Sequence, residues 1–449
     1  MLNKERVISL IIAIAVFFGV FTGCASSSKT PAVEGSETQS NVQETNVSSA
    51  SDESAGTVQV DIFQYKVEFK ETFQELASAY MAENPGVVIN VTTVGGGEDW
   101  RVALKAKFAS GDEPAVFNIG GPQDMENWMS KLEPVGDTKA AAAAAAGTLD
   151  AVTKDGNIYG LPYCLEGIGL IYNKEILDKA GINAEEITSF EKLEEAAKTI
   201  DAKKSELGLD AVFAYHAKDV SALGQHTATI FTAPEFGDMA TAFNAKTIEF
   251  RYSDAFKNYI DLMNTYSIQP VLNVDYTTQV EQNFSMGKVA MIQQGNWIYP
   301  VVNSIDEELA ANMGMIPVPI QGIDDQKMAV GVPNYWAVNK DKAPDVIAAA
   351  KDFLDYVYTS DVGKDYVLDV FKFIPAYDGY DASRITDPLS STIYSYVQEG
   401  KTMNWVFNGF PTDWAKGKLA VSIQKYLAGE ESWEDAIRES KQSWEELRQ

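Results

Sequence analysis

The chain has 449 residues and a formal net charge of −28 at pH 7. A surface that acidic repels nucleic-acid phosphates and anionic headgroups, which argues against DNA, RNA and phosphorylated substrates as partners. The length exceeds what one ordinary core fills and predicts two domains or two lobes.

Lys4 and Arg6 give a basic start, Ile8 to Phe21 is almost wholly apolar, and Phe21-Thr22-Gly23-Cys24 closes the stretch. This order is that of an export signal. At about 1.5 Å per residue the apolar run reaches only ~21 Å, short of a ~30 Å hydrocarbon core. The Gly-Cys ending resembles the lipobox of bacterial lipoproteins, with Phe21 where Leu is usual. The resemblance implies removal of residues 1–23, acylation of Cys24 and a body held outside the cytoplasmic membrane. An uncleaved amino-terminal anchor is the alternative and has the same sidedness. Lipidation would leave Cys164 as the one free thiol, so no disulfide framework is expected. Residues 24–57, dominated by Ser, Thr, Ala, Glu, Gln and Asn, lack hydrophobic periodicity and read as a disordered tether. No later apolar run approaches the length that spans a bilayer.

Val58 to Phe63 alternates apolar and polar, a strand signature, and Phe69, Phe73, Leu76 and Tyr80 then follow helical spacing. Asn84-Pro85-Gly86 ends that helix. Strands are expected again at 87–91 and 115–119, with a helix from about Asp99 to Ala109 between them. Strand, helix, strand, helix, strand predicts an α/β layer on a mostly parallel sheet. Seven alanines within Lys139 to Ala146 predict a surface helix without chemistry. Further helices are expected at 189–200, 253–266, 346–358 and 432–448, and strand-like runs at 169–172, 211–214, 289–293 and 331–338.

Four blocks line up in order: Asp155 to Pro162 leading through Glu166 to Leu170-Ile171-Tyr172-Asn173-Lys174; Phe284 to Met291 with Gly295-Asn296-Trp297; Met315 to Pro319; and Gly331 to Lys340. This order resembles the extracellular solute-binding proteins of bacterial ABC sugar importers, the group that includes maltose-binding protein. The resemblance covers about Val58 to the carboxyl terminus. It implies a two-lobed α/β fold of the periplasmic-binding-protein type (type II), with three crossings between the lobes and the ligand in the cleft. Carried onto this chain, the crossings fall near Leu161 to Leu165, Met315 to Val318 and Phe373 to Tyr377. Lobe 1 then combines 58–164 with 318–373, and lobe 2 combines 165–316 with 375–449. Pro162, Pro317 and Pro375 suit stiff hinge strands.

A sugar presents a C–H face to aromatic rings and hydroxyls to polar side chains. Trp297 follows a Gly-Asn turn at a strand end, where α/β clefts open, and the family has a stacking tryptophan there. Glu166 matches a ligand-contacting carboxylate of the family. Further ligand candidates are Lys66 and Glu68 after the first strand, Gln123 and Asp124 after the third, and Lys218 and Asp219 after the 211–214 run. Tyr335, Trp336 and Trp405 complete the set, with only one of Tyr335 and Trp336 expected to reach the cleft. Solvation or core packing is the plain alternative for each.

No catalytic residue, metal or cofactor is expected. Gly95-Gly96-Gly97 lacks the ending of a phosphate loop, His216 and His226 lack metal-site companions, and Asp324-Asp325 lacks calcium-loop spacing. Cys164 reads as a small buried residue. The resemblance implies a monomeric, lipid-anchored receptor that closes on an oligosaccharide and delivers it to an ABC permease. The rival is an exported glycoside hydrolase or other carbohydrate-modifying enzyme, which needs two carboxyls about 5–9.5 Å apart. A binder of peptides or polyamines is a further alternative that the acidity suits.

Overall fold

The computed structural model describes residues 56–94 and 99–449. The leader, Cys24, almost all of the tether and Gly95-Gly96-Gly97 lie outside the described residues. From Gly56 onward the chain forms two lobes, each built on a six-stranded sheet.

In the first sheet Val58–Gln64 lies between Val87–Thr93 and Val116–Ile119, parallel to both. Tyr335–Asn339 then pairs antiparallel with Val116–Ile119, Leu132–Glu133 and Leu161–Pro162. The helix Lys70–Glu83 buries Phe73, Leu76, Ala77 and Tyr80 at helical spacing against one face, beside Phe353 and Val357 of Pro344–Thr359. On the other face Trp100–Ser110 buries Leu104 with Phe63 and Phe117. Asp99 caps that helix by accepting from Arg101 N and Val102 N, and Gly111 ends it at φ +80°.

The second sheet is mixed. Glu166–Asn173 is its centre, antiparallel to Val289–Gly295 on one side and to Met313–Ile316 and Met328–Gly331 on the other. Its near-continuous apolar run fits a strand covered on both faces. Helices Phe190–Leu207, Ala228–Phe236, Ser253–Tyr266 and Trp433–Leu447 enclose it. Among the described residues, no helix is long and apolar enough to cross a membrane.

The crossings depart from expectation in two places. Met313–Ile316 belongs to the second sheet, and Val318 and Ile320 pack in the second core, so Met315 to Val318 is not a crossing. The run Gly331 to Val338 is instead cut in two: Met328–Gly331 is in the second sheet and Tyr335–Asn339 in the first. Val332-Pro333-Asn334 makes the passage, because Pro333 has no N–H to give to either ladder. The third passage also comes later. Ile374 bridges to Leu165, but Ala376 and Tyr377 return to the first core and Tyr377 donates its hydroxyl to Pro162 O at 2.5 Å. Ile374 already touches the second core, the chain then turns back, and Ile385 re-enters it, so 375–384 stay with the first lobe.

The alanine run is not a surface helix. Only Lys139–Ala143 is helical, Ala140 and Ala141 are buried, and Ala145 N donates to Ala376 O. Small side chains let the third crossing lie against this backbone.

Candidate functional site

Gln64 shapes the turn that carries the first functional side chain. Its Oε1 accepts from Lys66 N at 2.7 Å, while its Nε2 donates to Lys66 O at 3.0 Å and Thr93 Oγ1 at 2.7 Å. Lys66, 5% exposed, therefore points across the junction, where its ammonium bonds Glu166 Oε1 at the start of the second sheet. Four rings, of Tyr65, Phe69, Tyr163 and Phe373, lie within 5.4–6.0 Å of that ammonium. Burial pulls the Lys66 pKa down, but the Glu166 carboxylate outweighs it and holds the group well above its ordinary value. Cys164 is buried, and desolvation with the adjacent Glu166 pushes its thiol well up, away from thiolate chemistry.

The facing wall starts where Val289–Gly295 ends. Asn296 Oδ1 accepts from Gly167 N at 3.1 Å, and its Nδ2 donates to Ser390 Oγ at 3.1 Å, fixing the turn to the central strand. A Cβ at position 295 would stand 2.0 Å from the Trp297 ring, so only glycine lets the indole fold over the strand end. Trp297 is half-buried, 5.2 Å from the His226 ring and edge-on to Trp405 at 6.3 Å. Trp405 itself is 2% exposed and its indole N–H donates to Ala329 O at 2.9 Å. It backs Trp297, with Phe407 at 5.3 Å, and is not available to stack on a ligand.

Two buried polar atoms of the second lobe at this junction, Tyr276 OH and Gln294 Oε1, have no partner, while Tyr65 and Asn334, from the first lobe and its crossing, lie beside each other without a well-formed bond between Tyr65 OH and Asn334 Oδ1. A buried polar atom left unpaired costs on the order of 1–3 kcal/mol, so these poorly satisfied groups mark a place for a polar guest. Burial first, and then the Glu68 carboxylate, push the Tyr276 phenol up, which sets Tyr276 opposite the Lys66–Glu68 loop. Glu68 is exposed at that rim. Below it, His216 Nδ1 touches Gln279 Oε1 and lies 3.2 Å from Gln294 Nε2. Desolvation takes the His216 pKa down to about 4 and that of His226 to about 3, so both rings are neutral at pH 7.

Further out, the lobes face each other across a groove of about 180 Å³. Asp124 Oδ2 accepts from Arg101 Nε at 2.9 Å and Gly120 N at 2.8 Å, and Gln123 Oε1 accepts from Arg448 Nη1 of the second lobe at 3.0 Å. Lys416 Nζ meets Asp99 Oδ2 at 3.4 Å across the same gap. Gly224 sets this wall: a Cβ there would fall 1.8 Å from Ala415 O, so glycine brings Gln225 and His226 beside Lys416.

The structure thus gathers Lys66, Glu68, Glu166 and Trp297 at the inner junction and Gln123 and Asp124 at the outer groove. Neither Tyr335 nor Trp336 joins them. Adjacent strand positions face opposite ways, and here both ways lead into core: Tyr335 packs with Phe63 and Phe117, while Trp336 is 1% exposed and donates to Tyr358 OH at 2.7 Å. Lys218 pairs with Asp275 at 2.8 Å, and Asp219 accepts from Tyr276 N at 2.9 Å, so this pair braces the Tyr276 loop. Tyr65, Gln294, Tyr276, Asn334 and Arg101 were not expected. Tyr65 and Gln294 adjoin predicted positions at strand ends, a signal the sequence did carry; Tyr276 and Asn334 sit in irregular segments that show no pattern.

A profile of the bacterial extracellular solute-binding proteins matches residues 66–364. The melibiose/raffinose/stachyose-binding protein of Bacillus subtilis (strain 168) is 24% identical over 311 residues, covering 64% of this chain and 67% of that protein. Among solved structures, a chitin oligosaccharide binding protein superposes with a TM-score of 0.73 at 22% identity, covering 87% of this chain and 99% of that one. A raffinose complex of the solute-binding protein RafE gives 0.71 at 18% identity, covering 88% and 100%. At those identities the superpositions speak for the two-lobed fold. The profile spans more than half of the chain, and with it the chain belongs to the bacterial extracellular solute-binding proteins.

Proposed function

We propose that this protein captures a neutral oligosaccharide between its lobes and delivers it to an ABC permease, held to the membrane by an acyl group on Cys24. The observation that carries the ligand class is the pair of unpartnered buried polar atoms, Tyr276 OH and Gln294 Oε1, facing the poorly satisfied Tyr65 and Asn334 of the other lobe, beside the half-buried Trp297. Hydroxyls that donate and accept satisfy such atoms, and an indole face packs a pyranose C–H face. A neutral ligand fits the local pairing, in which Glu166 is matched by Lys66 and Asp124 by Arg101 and the exposed Glu68 stands at the rim. The names of the relatives, which bind raffinose, stachyose and chitin oligosaccharides, agree with this class.

Contacts from both lobes make closure the step coupled to binding, because a ligand touching both faces favours the closed form. No reaction on the sugar is proposed, and the family and its relatives are binding proteins. Operation as a monomer and recognition of the closed shape by the permease belong to the same proposal.

A thermal-shift screen of the purified protein against neutral oligosaccharides tests it. One series raises the melting temperature and is recovered intact by chromatography. Release of shorter sugars points to the hydrolase instead. An acyl mass on the peptide beginning at Cys24, from membrane-extracted protein, tests the anchor.

A further inference from the structure

The passages between the lobes lie side by side, with the first in the middle. Tyr163 N donates to Asn334 O of the second at 3.0 Å. Leu165 N donates at 2.8 Å to Ile374 O, where the third first touches the second core. Two phenols of the first lobe hold the middle strand by its carbonyls. Tyr377 donates to Pro162 O at 2.5 Å, and Tyr358, on the helix Pro344–Thr359, donates to Tyr163 O at 3.0 Å. Both phenols belong to the first core, and neither lines the groove between the lobes.

The two phenols act as a unit. Tyr358 and Tyr377 are 2% and 4% exposed, and their rings stack with centroids 4.3 Å apart. The Trp336 indole N–H donates to Tyr358 OH at 2.7 Å, which turns the proton of that hydroxyl towards Tyr163 O. Burial pushes both phenols well above their ordinary pKa, so both remain donors.

The hold ends abruptly. Pro162 and Tyr163 are fixed to the first lobe, while Glu166 already pairs with Gly331 in the second sheet. Cys164 lies between them, with no backbone hydrogen bond among the described residues. On the second passage, Gly331 belongs to that pair and Asn334 is bonded to Tyr163, which leaves Val332-Pro333 as the free stretch.

We infer that Tyr358 and Tyr377 clamp the first passage to the first lobe, confine the bend of the first two passages to Cys164-Leu165 and Val332-Pro333, and so limit how far the empty protein opens. The inference rests on closure as the step coupled to binding. With the clamp intact, only these short stretches of backbone take up the rotation, as hinges do. Without it, residues 161–163 bend as well. The added freedom goes to the open form, because contacts between the lobes hold the closed one.

Distances between spin labels on the two lobes, measured by pulsed electron resonance, test this without any ligand. Ala106→Cys and Lys418→Cys put the labels on exposed positions of either lobe in a Cys24→Ser background, and the buried Cys164 takes none. Tyr377→Phe keeps the stacked ring and removes only the bond to Pro162 O. Tyr358→Phe removes the other bond and also leaves the Trp336 N–H unpaired. Each change broadens the distance distribution and moves its mean outwards. Tyr380→Phe is the control: it loses a bond of the same kind, to Tyr358 O at 3.0 Å, that reaches no passage. It lowers the melting temperature and leaves the distribution as it was. An unchanged distribution in Tyr377→Phe and Tyr358→Phe overturns the clamp. Equal broadening in Tyr380→Phe overturns it too, since the lobe as a whole has then loosened. No ligand enters the measurement, so failure of the clamp leaves sugar capture standing, and failure of sugar capture leaves the distances to decide on the clamp.

Discussion

Two ion pairs join the lobes, and they are built differently. Lys66–Glu166 sits at the inner junction with side chains 5% and 7% exposed, boxed by aromatic rings. Lys416–Asp99 spans the outer groove at 3.4 Å with side chains 31% and 41% exposed. A desolvated pair costs much to separate, whereas a wet pair exchanges with water at little cost. The inner pair therefore acts as a fixed pivot beside the three passages, and the outer edge is the part free to part and close.

Removing one half of the pivot gives the largest expected effect. Glu166→Ala leaves a buried lysine uncompensated and lowers unfolding stability by about 3–5 kcal/mol, read by urea denaturation. The double change Lys66→Met with Glu166→Leu restores most of that loss, because the rings around Nζ accept an apolar chain. A double variant as unstable as the single one breaks the contrast between the two pairs.

The second effect is pH-dependent and belongs to the inner junction too. The unfolded chain protonates His216 near its ordinary pKa of 6.5, while the folded protein resists until about 4. Between those values the unfolded state binds more protons, so stability falls as pH drops from 6.5 towards 4. At 1.36 kcal/mol per unit the shift is worth about 3 kcal/mol. His216→Asn removes that share of the acid-side slope, measured as the difference from wild type at each pH, and leaves the share of His226, whose pKa falls further, to about 3.

Ligand affinity is the third readout. Trp297→Ala removes the accessible indole and costs about 2 kcal/mol of binding, about thirtyfold in Kd by calorimetry, with the melting temperature of the free protein little changed. Trp405→Ala does the reverse: it is buried under Gly331 and bonded to Ala329 O, so folding suffers first.

That contrast also shows what the sequence could tell. Trp297 was legible because a Gly-Asn turn after an apolar run places a residue at a strand end, and the first strand and the helix Lys70–Glu83 were legible from period alone. Trp405 and Trp336 were not, since an indole spent on a backbone or phenol acceptor reads in sequence like one offered to a ligand. The second crossing was misplaced for a related reason. Pro317 and Pro333 both interrupt apolar runs, and only the pairing of Met313–Ile316 with Glu166–Asn173 decides between them. Long-range register, not local pattern, sets where the chain changes lobe.

The smallest effect belongs to the outer edge. Lys416→Ala deletes a half-wet pair and changes stability by less than about 1 kcal/mol, a change that 0.5 M salt erases as the Debye length shrinks to a few ångströms. Its signature lies in rates. With one fewer contact between the lobes, the open form gains population and ligand leaves sooner, so the dissociation rate rises severalfold by stopped-flow tryptophan fluorescence while association barely moves. Salt mimics the variant in wild type and leaves Lys416→Ala unaffected. The same salt series leaves Glu166→Ala as unstable as before, because no counterion reaches a lysine enclosed by four rings.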